Sequence, residues 1–172
     1  MGLIVQELTK EAFAPYGTYF DIHEGYGEEP VSFIPDRILH YIGAPALDSL
    51  CSIRLRHRKI EIDVTEYHNE CEEVFGGFNC DIVFHVGFLD DSGKPDLSSF
   101  SMFRLPAGTY IRVKRKILHH AGFVLKEADM ADGLIILSPS AYTIDCHTIK
   151  LDKAIQVDVL QKQADIYVSS GY

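Results

Sequence analysis

From residue 51 onward the chain alternates apolar and polar side chains every second position, and turn-forming residues stop each run before it grows long. In residues 51–58, Ile53, Leu55 and His57 fall on one side and Arg54, Arg56 and Arg58 on the other, the pattern of a strand with one buried face. Ile60, Ile62 and Val64 keep the period, 81–88 and 101–105 are β-rich, 110–117 alternates again, and 134–137 with Ile155, Val157 and Val159 complete the set. Gly76 and Gly77, the polar run 90–95, Pro106 to Gly108, and Ser138 to Ser140 supply turns between them. Many short strands at close spacing predict an all-β sandwich or barrel. Helix is confined to a turn or two after the opening strand, where Thr9 can cap and Pro15 and Gly17 terminate. Residues 21–35, rich in glycine, proline and acid, read as a loop.

The chain has 172 residues and no internal repeat or linker, so residues 1–172 are expected to form a single domain. Its 25 acidic and 16 basic residues leave a net charge of -9, which repels a phosphate backbone and argues against a nucleic-acid partner. No run approaches the length of a membrane span, and residues 1–10 carry no basic segment followed by an apolar one, so a cytoplasmic protein with no membrane partner is expected. Cys51, Cys71, Cys80 and Cys146 form no Cys-x-x-Cys pair and are expected to be reduced, mostly buried thiols.

Two polar clusters adjoin predicted strands. The first, residues 66–73, places His68 before Glu70, Glu72 and Glu73, a set able to bind a divalent metal or to move protons, or else a solvated acidic corner beside the Gly76–Gly77 turn. In the second, Tyr110, Arg112 and Lys114 recur at period two after Pro106–Gly108, and the segment closes on Leu118, His119 and His120. Those three polar residues line a pocket or form the watered face of a strand whose inner face is Ile111 and Val113. Only one of His119 and His120 is expected to face a given pocket, because neighbours on a strand point to opposite faces. His85, inside an apolar run, reads as a hydrogen-bonded core residue.

A histidine and carboxylates on one strand pair, then a Pro-x-Gly turn, a polar strand and a further histidine, resemble the two motifs of a cupin. A closer resemblance runs in order along residues 3–150. Leu8 to Gly17, with Phe13, Pro15 and Tyr16, looks like the opening of the ureidoglycolate lyases. Glu66, Tyr67 and His68 followed by Glu73, Val74 and Phe75 resemble that family's Glu-x-His and Gln-x-Phe segment. Lys94 to Leu97 is similar to its Lys-Pro-Asp-Leu loop, Gly108 to His120 to its glycine and Trp-His-His strand, and Ile144 to Cys146 falls at its Asn-Cys-Asp. Glu73 stands for glutamine, Leu118 for tryptophan and Lys114 for histidine, which marks a divergent member.

The resemblance implies a cupin-like double-stranded β-barrel (jelly roll), a homodimer, and cleavage of ureidoglycolate to glyoxylate and urea. That reaction needs a base for the hydroxyl proton, an acid for the departing nitrogen and a cation for the carboxylate. His68 and His120 are candidate bases, Glu73 and Tyr110 assist proton transfer, and Arg112, Lys114 and His119 are candidates to hold the small carboxylate substrate. Alternatively His68, Glu73 and His120 converge on one divalent ion, with imidazole and carboxylate suiting Zn, Mn, Fe or Ni alike. Two further readings stay open: a metal-dependent cupin acting on another small polar acid or sugar acid, and a non-catalytic cupin that binds a small ligand.

Overall fold

The computed structural model describes residues 2–21, 49–138 and 141–158, so the predicted loop beyond Asp21 and the strand position Val159 lie outside the described residues. Strands β1 (Leu3–Glu7) and β2 (Gly17–Asp21) flank helix α1 (Lys10–Phe13), whose first turn is closed by the Thr9 hydroxyl accepting from the Ala12 amide. Then come β3 (Ser49–Arg56), β4 (Glu61–Tyr67), β5 (Glu73–Gly76), β6 (Ile82–Leu89), β7 (Pro95–Leu105) and β8 (Thr109–Val113). The chain continues through β9 (Leu118–His119), β10 (Phe123–Val124), β11 (Met130–Leu137), helix α2 (Ala141–Ile144) and β12 (His147–Asp158). The all-β, cupin-like barrel with short helices expected from the sequence is the observed fold. Among the described residues no helix is long and apolar enough to cross a membrane.

One sheet runs β2-β8-β5-β11-β3. The other runs β10-β6-β7-β1-β12-β4-β9 and closes on itself, because β9 pairs with β4 at one edge and with β6 at the other. The closed ring and the space between the sheets have separate cores that share the wall made by β6 and β7. Ile82, Phe84 and Val86 alternate into the inter-sheet core with Phe103 and Leu105, while Val83 belongs to the ring core with Val5, Ile62, Met102 and Leu118. Strands buried on both faces read as continuous apolar runs, as 82–86 does apart from His85.

Several strands differ from expectation: β7, β11 and β12 begin at Pro95, Met130 and His147, earlier than the runs at 101, 134 and 155, so that Pro95 to Leu97, read as a loop, is strand. β8 ends at Val113, where Lys114 turns to donate its amide to the Tyr16 carbonyl, and Lys116 takes a left-handed conformation (φ 62°) that no strand tolerates. β5 arises where an acidic corner was the competing reading, and all four of its residues are buried. It is held between β8 and β11 by the pairs Phe75↔Ile111 and Phe75↔Ile135. All four cysteines are free, but only Cys71 is fully buried.

Candidate metal centre and cavity

The β4–β5 connection carries the first polar cluster, and Asp145 sets its shape. The Asp145 carboxylate accepts the amides of Asn69, Glu70 and Cys71 at 2.9, 2.9 and 3.2 Å, and its carbonyl faces Nδ1 of His68 at 2.9 Å. Burial works to raise its pKa, yet these amide hydrogen bonds outweigh it and hold the carboxyl below its ordinary range. From the other side the Lys116 amide donates to the His68 carbonyl at 2.7 Å, which ties the left-handed turn before β9 to the same loop. His68 is thereby fixed in position, 2% exposed, with Nε2 3.2 Å from Oε2 of Glu73.

His119 meets the same oxygen from β9. Leu118 points into the ring core, so His119, its neighbour on the strand, points the opposite way, toward Glu73. Its Nδ1 donates to the Ile117 carbonyl at 2.8 Å and its Nε2 lies 3.7 Å from Glu73 Oε2, with no hydrogen-bond partner. Ligand atoms of His68, Glu73 and His119 lie within 4.8 Å of one another, and all three residues are buried. The trio therefore uses His119 where the sequence suggested His120, a correction that follows from the phase of β9.

The tautomers are decided by the carbonyls. A carbonyl only accepts, so each Nδ1 carries its proton, and a neutral imidazole then presents a bare Nε2 lone pair to Glu73. Two lone pairs aimed at a buried carboxylate repel unless a proton or a cation lies between them. Without a cation, burial pulls both imidazoles down, but the neighbouring Glu73 carboxylate outweighs it and leaves both above their ordinary values. Burial pushes Glu73 up, and the two histidines more than reverse this, holding it at about 2. A cation fits equally well: metal–nitrogen bonds of about 2.0–2.1 Å in a tetrahedron put ligand atoms roughly 3.3 Å apart, close to the observed 3.2 and 3.7 Å. Two imidazoles and a carboxylate suit zinc, manganese, iron or nickel.

Beside the trio lies a cavity of about 130 Å³, to which Glu73, Glu66 and His120 contribute the polar groups. Glu66, which enters the sequence reading only within the Glu-x-His resemblance, would fall by strict alternation on the face of Ile62. The β4–β12 ladder shifts between Lys150 and Ile155, so that the ring side is taken by Ile62 and Thr65, and Glu66 turns to the cavity. Its carboxylate accepts from the Cys146 thiol at 3.2 Å, and burial together with that bond raises the thiol to about 11. The Arg58 guanidinium donates to the Ala121 carbonyl at 3.2 Å and lies 4.3 Å from the centre of the Phe123 ring, fixing the backbone that follows His120.

Tyr110, Arg112 and Lys114 do not join the site. Thr109, Ile111 and Val113 are the buried face of β8, so Tyr110 and Arg112 point to the other face of the sheet. There Tyr110 stacks on Phe20 with ring centres 5.5 Å apart, and Arg112 lies 3.3 Å from Glu72. The Lys114 ammonium donates to the Ala14 and Pro15 carbonyls at 2.7 and 3.3 Å. Among the described residues, no lysine or arginine lines the cavity.

No known protein family matches the chain, and no curated protein matches its sequence. Among solved structures, the fold is similar to that of the dTDP-6-deoxy-D-glucose-3,5-epimerase of Legionella pneumophila Philadelphia 1, crystallised with dTDP-4-keto-L-rhamnose. The likeness covers 81% of this chain and 80% of that one, with a TM-score of 0.46 and 16% identity, and is one of backbone course.

Proposed function

We propose that the protein is an enzyme acting on a small carboxylic acid, with a divalent metal ion held by His68, Glu73 and His119. The observation that carries this is the pair of buried Nε2 atoms, each with its Nδ1 committed to a carbonyl, that converge on one carboxylate oxygen. An ion in that position would hold the substrate carboxylate and a neighbouring oxygen and polarise both, supplying the positive charge that Arg112 and Lys114 do not bring to the cavity. His120 and Glu66 face the substrate side and are the groups placed to exchange protons with it.

The specific reaction that the sequence resemblance brings to this site is the cleavage of ureidoglycolate. His120 takes the hydroxyl proton, the O–H electron pair becomes the second bond of the glyoxylate carbonyl, the C–N bond breaks, and the departing nitrogen receives the proton back as urea. Glu66, held by Cys146, accepts hydrogen bonds from the leaving N–H groups.

Metal content after dialysis tests the first claim. One ion per chain is expected in the parent, with affinity lowered by about a hundredfold or more in Glu73→Gln, and the absence of stoichiometric binding of zinc, manganese, iron or nickel refutes it. Urea release from racemic ureidoglycolate, with and without chelator, tests the second. One ion per chain without urea release leaves the enzyme with another acid.

A further inference from the structure

Polar groups gather at one end of the cavity and apolar ones at the other. Glu73 and Phe75 lie two residues apart on β5 and both face the cavity, so roughly 7 Å of strand separates the cluster from the first aromatic ring. From there the lining continues away from Glu73: Ile135 pairs with Phe75, and Ile53 pairs with Gly133, two residues further along β11. Phe78 completes this end, 2% exposed, with its ring edge-on to Phe75 at 6.1 Å. Its place depends on Gly133, where a Cβ would lie 2.6 Å from two Phe78 ring carbons. Phe75 is in turn edge-on to Phe84 at 5.3 Å, so the aromatic end is built into the inter-sheet core and preformed.

We infer that the ligand of this cavity is a small acid whose substituent is apolar, an aliphatic chain or an aryl ring, with its oxygen-bearing head at the His68–Glu73–His119 cluster and its tail between Phe75, Phe78, Ile53 and Ile135. The inference rests on the proposed metal centre for the head, and on the lining residues alone for the tail. A ureido group finds partners for its N–H groups at the Glu66 and His120 end and none among the rings and aliphatic side chains, so it leaves the apolar end unfilled. The volume, about 130 Å³, corresponds to about four waters of bulk liquid, enough for a short branched chain.

The test is calorimetric titration of the zinc-loaded protein with glycolate, lactate, 2-hydroxybutyrate and 2-hydroxyisocaproate, with ureidoglycolate in parallel. Each added methylene is expected to tighten binding by about fourfold, and ureidoglycolate is expected to bind more weakly than 2-hydroxyisocaproate. Ile53→Thr, which keeps a β-branched side chain in the strand, should flatten the series while one zinc still binds per chain. A flat series, or ureidoglycolate binding tighter than the aliphatic acids, overturns the inference while leaving the metal centre intact. Failure of zinc, manganese, iron and nickel alike to bind overturns the metal centre alone: the same series run on that protein still ranks the substituents, and an absence of saturable binding for every acid then overturns this inference as well.

Discussion

His85 is a buried base whose protonation the fold opposes, and this gives a measurable slope of stability with pH. Thr65 donates its hydroxyl proton to the His119 carbonyl at 3.2 Å, so it can only accept from His85 Nε2, 3.1 Å away. Nδ1 is then the bare nitrogen, buried without a partner in a ring stacked 5.6 Å from Phe100. Adding a proton would place a charge in the ring core, with His120 and His119 nearby, and burial first and those charges second lower the pKa from 6.5 to about 3. The depressed value sets the sign: the contribution is present in full above 6.5, where neither state binds the proton, and is lost as pH falls toward the folded value, because only the unfolded chain is protonated there. At pH 5 the loss is about 2 kcal/mol, from roughly 1.5 pH units at 1.36 kcal/mol each. That figure depends on the unfolded pKa alone as long as the folded one stays below about 4.5. His85→Phe keeps the ring and its stacking and removes the proton site. Urea unfolding followed by far-ultraviolet circular dichroism, which suits a chain without tryptophan, should be compared for parent and variant in chelator at pH 7 and pH 5. The stability difference between them should move by about 2 kcal/mol in the variant's favour on acidification, other titrating groups cancelling in the comparison. A difference that is the same at both pH values refutes the argument.

Two further outcomes are expected. Asp145→Ala removes three amide hydrogen bonds from the loop that carries His68, and it should cost about 3 kcal/mol in urea unfolding and weaken zinc binding by about tenfold or more; a variant that binds zinc like the parent would show the loop to be held elsewhere. Lys114→Met loses contacts to the Ala14 and Pro15 carbonyls rather than to the cavity, so zinc and 2-hydroxy acid affinities should stay within about twofold of the parent, and a tenfold loss in calorimetry would return Lys114 to the site.

Alternation made most of the strands legible because each has one face on a core, and Thr9 made α1 legible because its hydroxyl closes the first turn. β5 was less so: its four residues are held by partners distant in the chain, and a glutamate at an inward position reads as a solvent-facing acid until those partners are known. At the site, His68 and Glu73 could be found from composition, being two ligand types five residues apart. The choice between His119 and His120 could not, because alternation gives the relative facing of neighbours and leaves open which face is the core; Leu118 in the ring core decides it. Asp145 acts on the His68 loop from more than seventy residues away through backbone amides, which carry no signature in the sequence.

The wall shared by the two cores limits how this chain can vary. On most strands of a barrel every second position faces water and accepts exchange freely, but Ile82 through Val86 serve the inter-sheet core and the ring core by turns. A change of volume at Phe84 is felt against Phe13 and Phe75, and one at Val83 is felt among the ring residues, so neither parity is spare. Drift among divergent copies of this fold should therefore leave these positions among its slowest to change, and a library built to reshape the cavity would do better to vary β3, whose Ile53 lines it while Ser52, Arg54 and Arg56 on its other face are exposed.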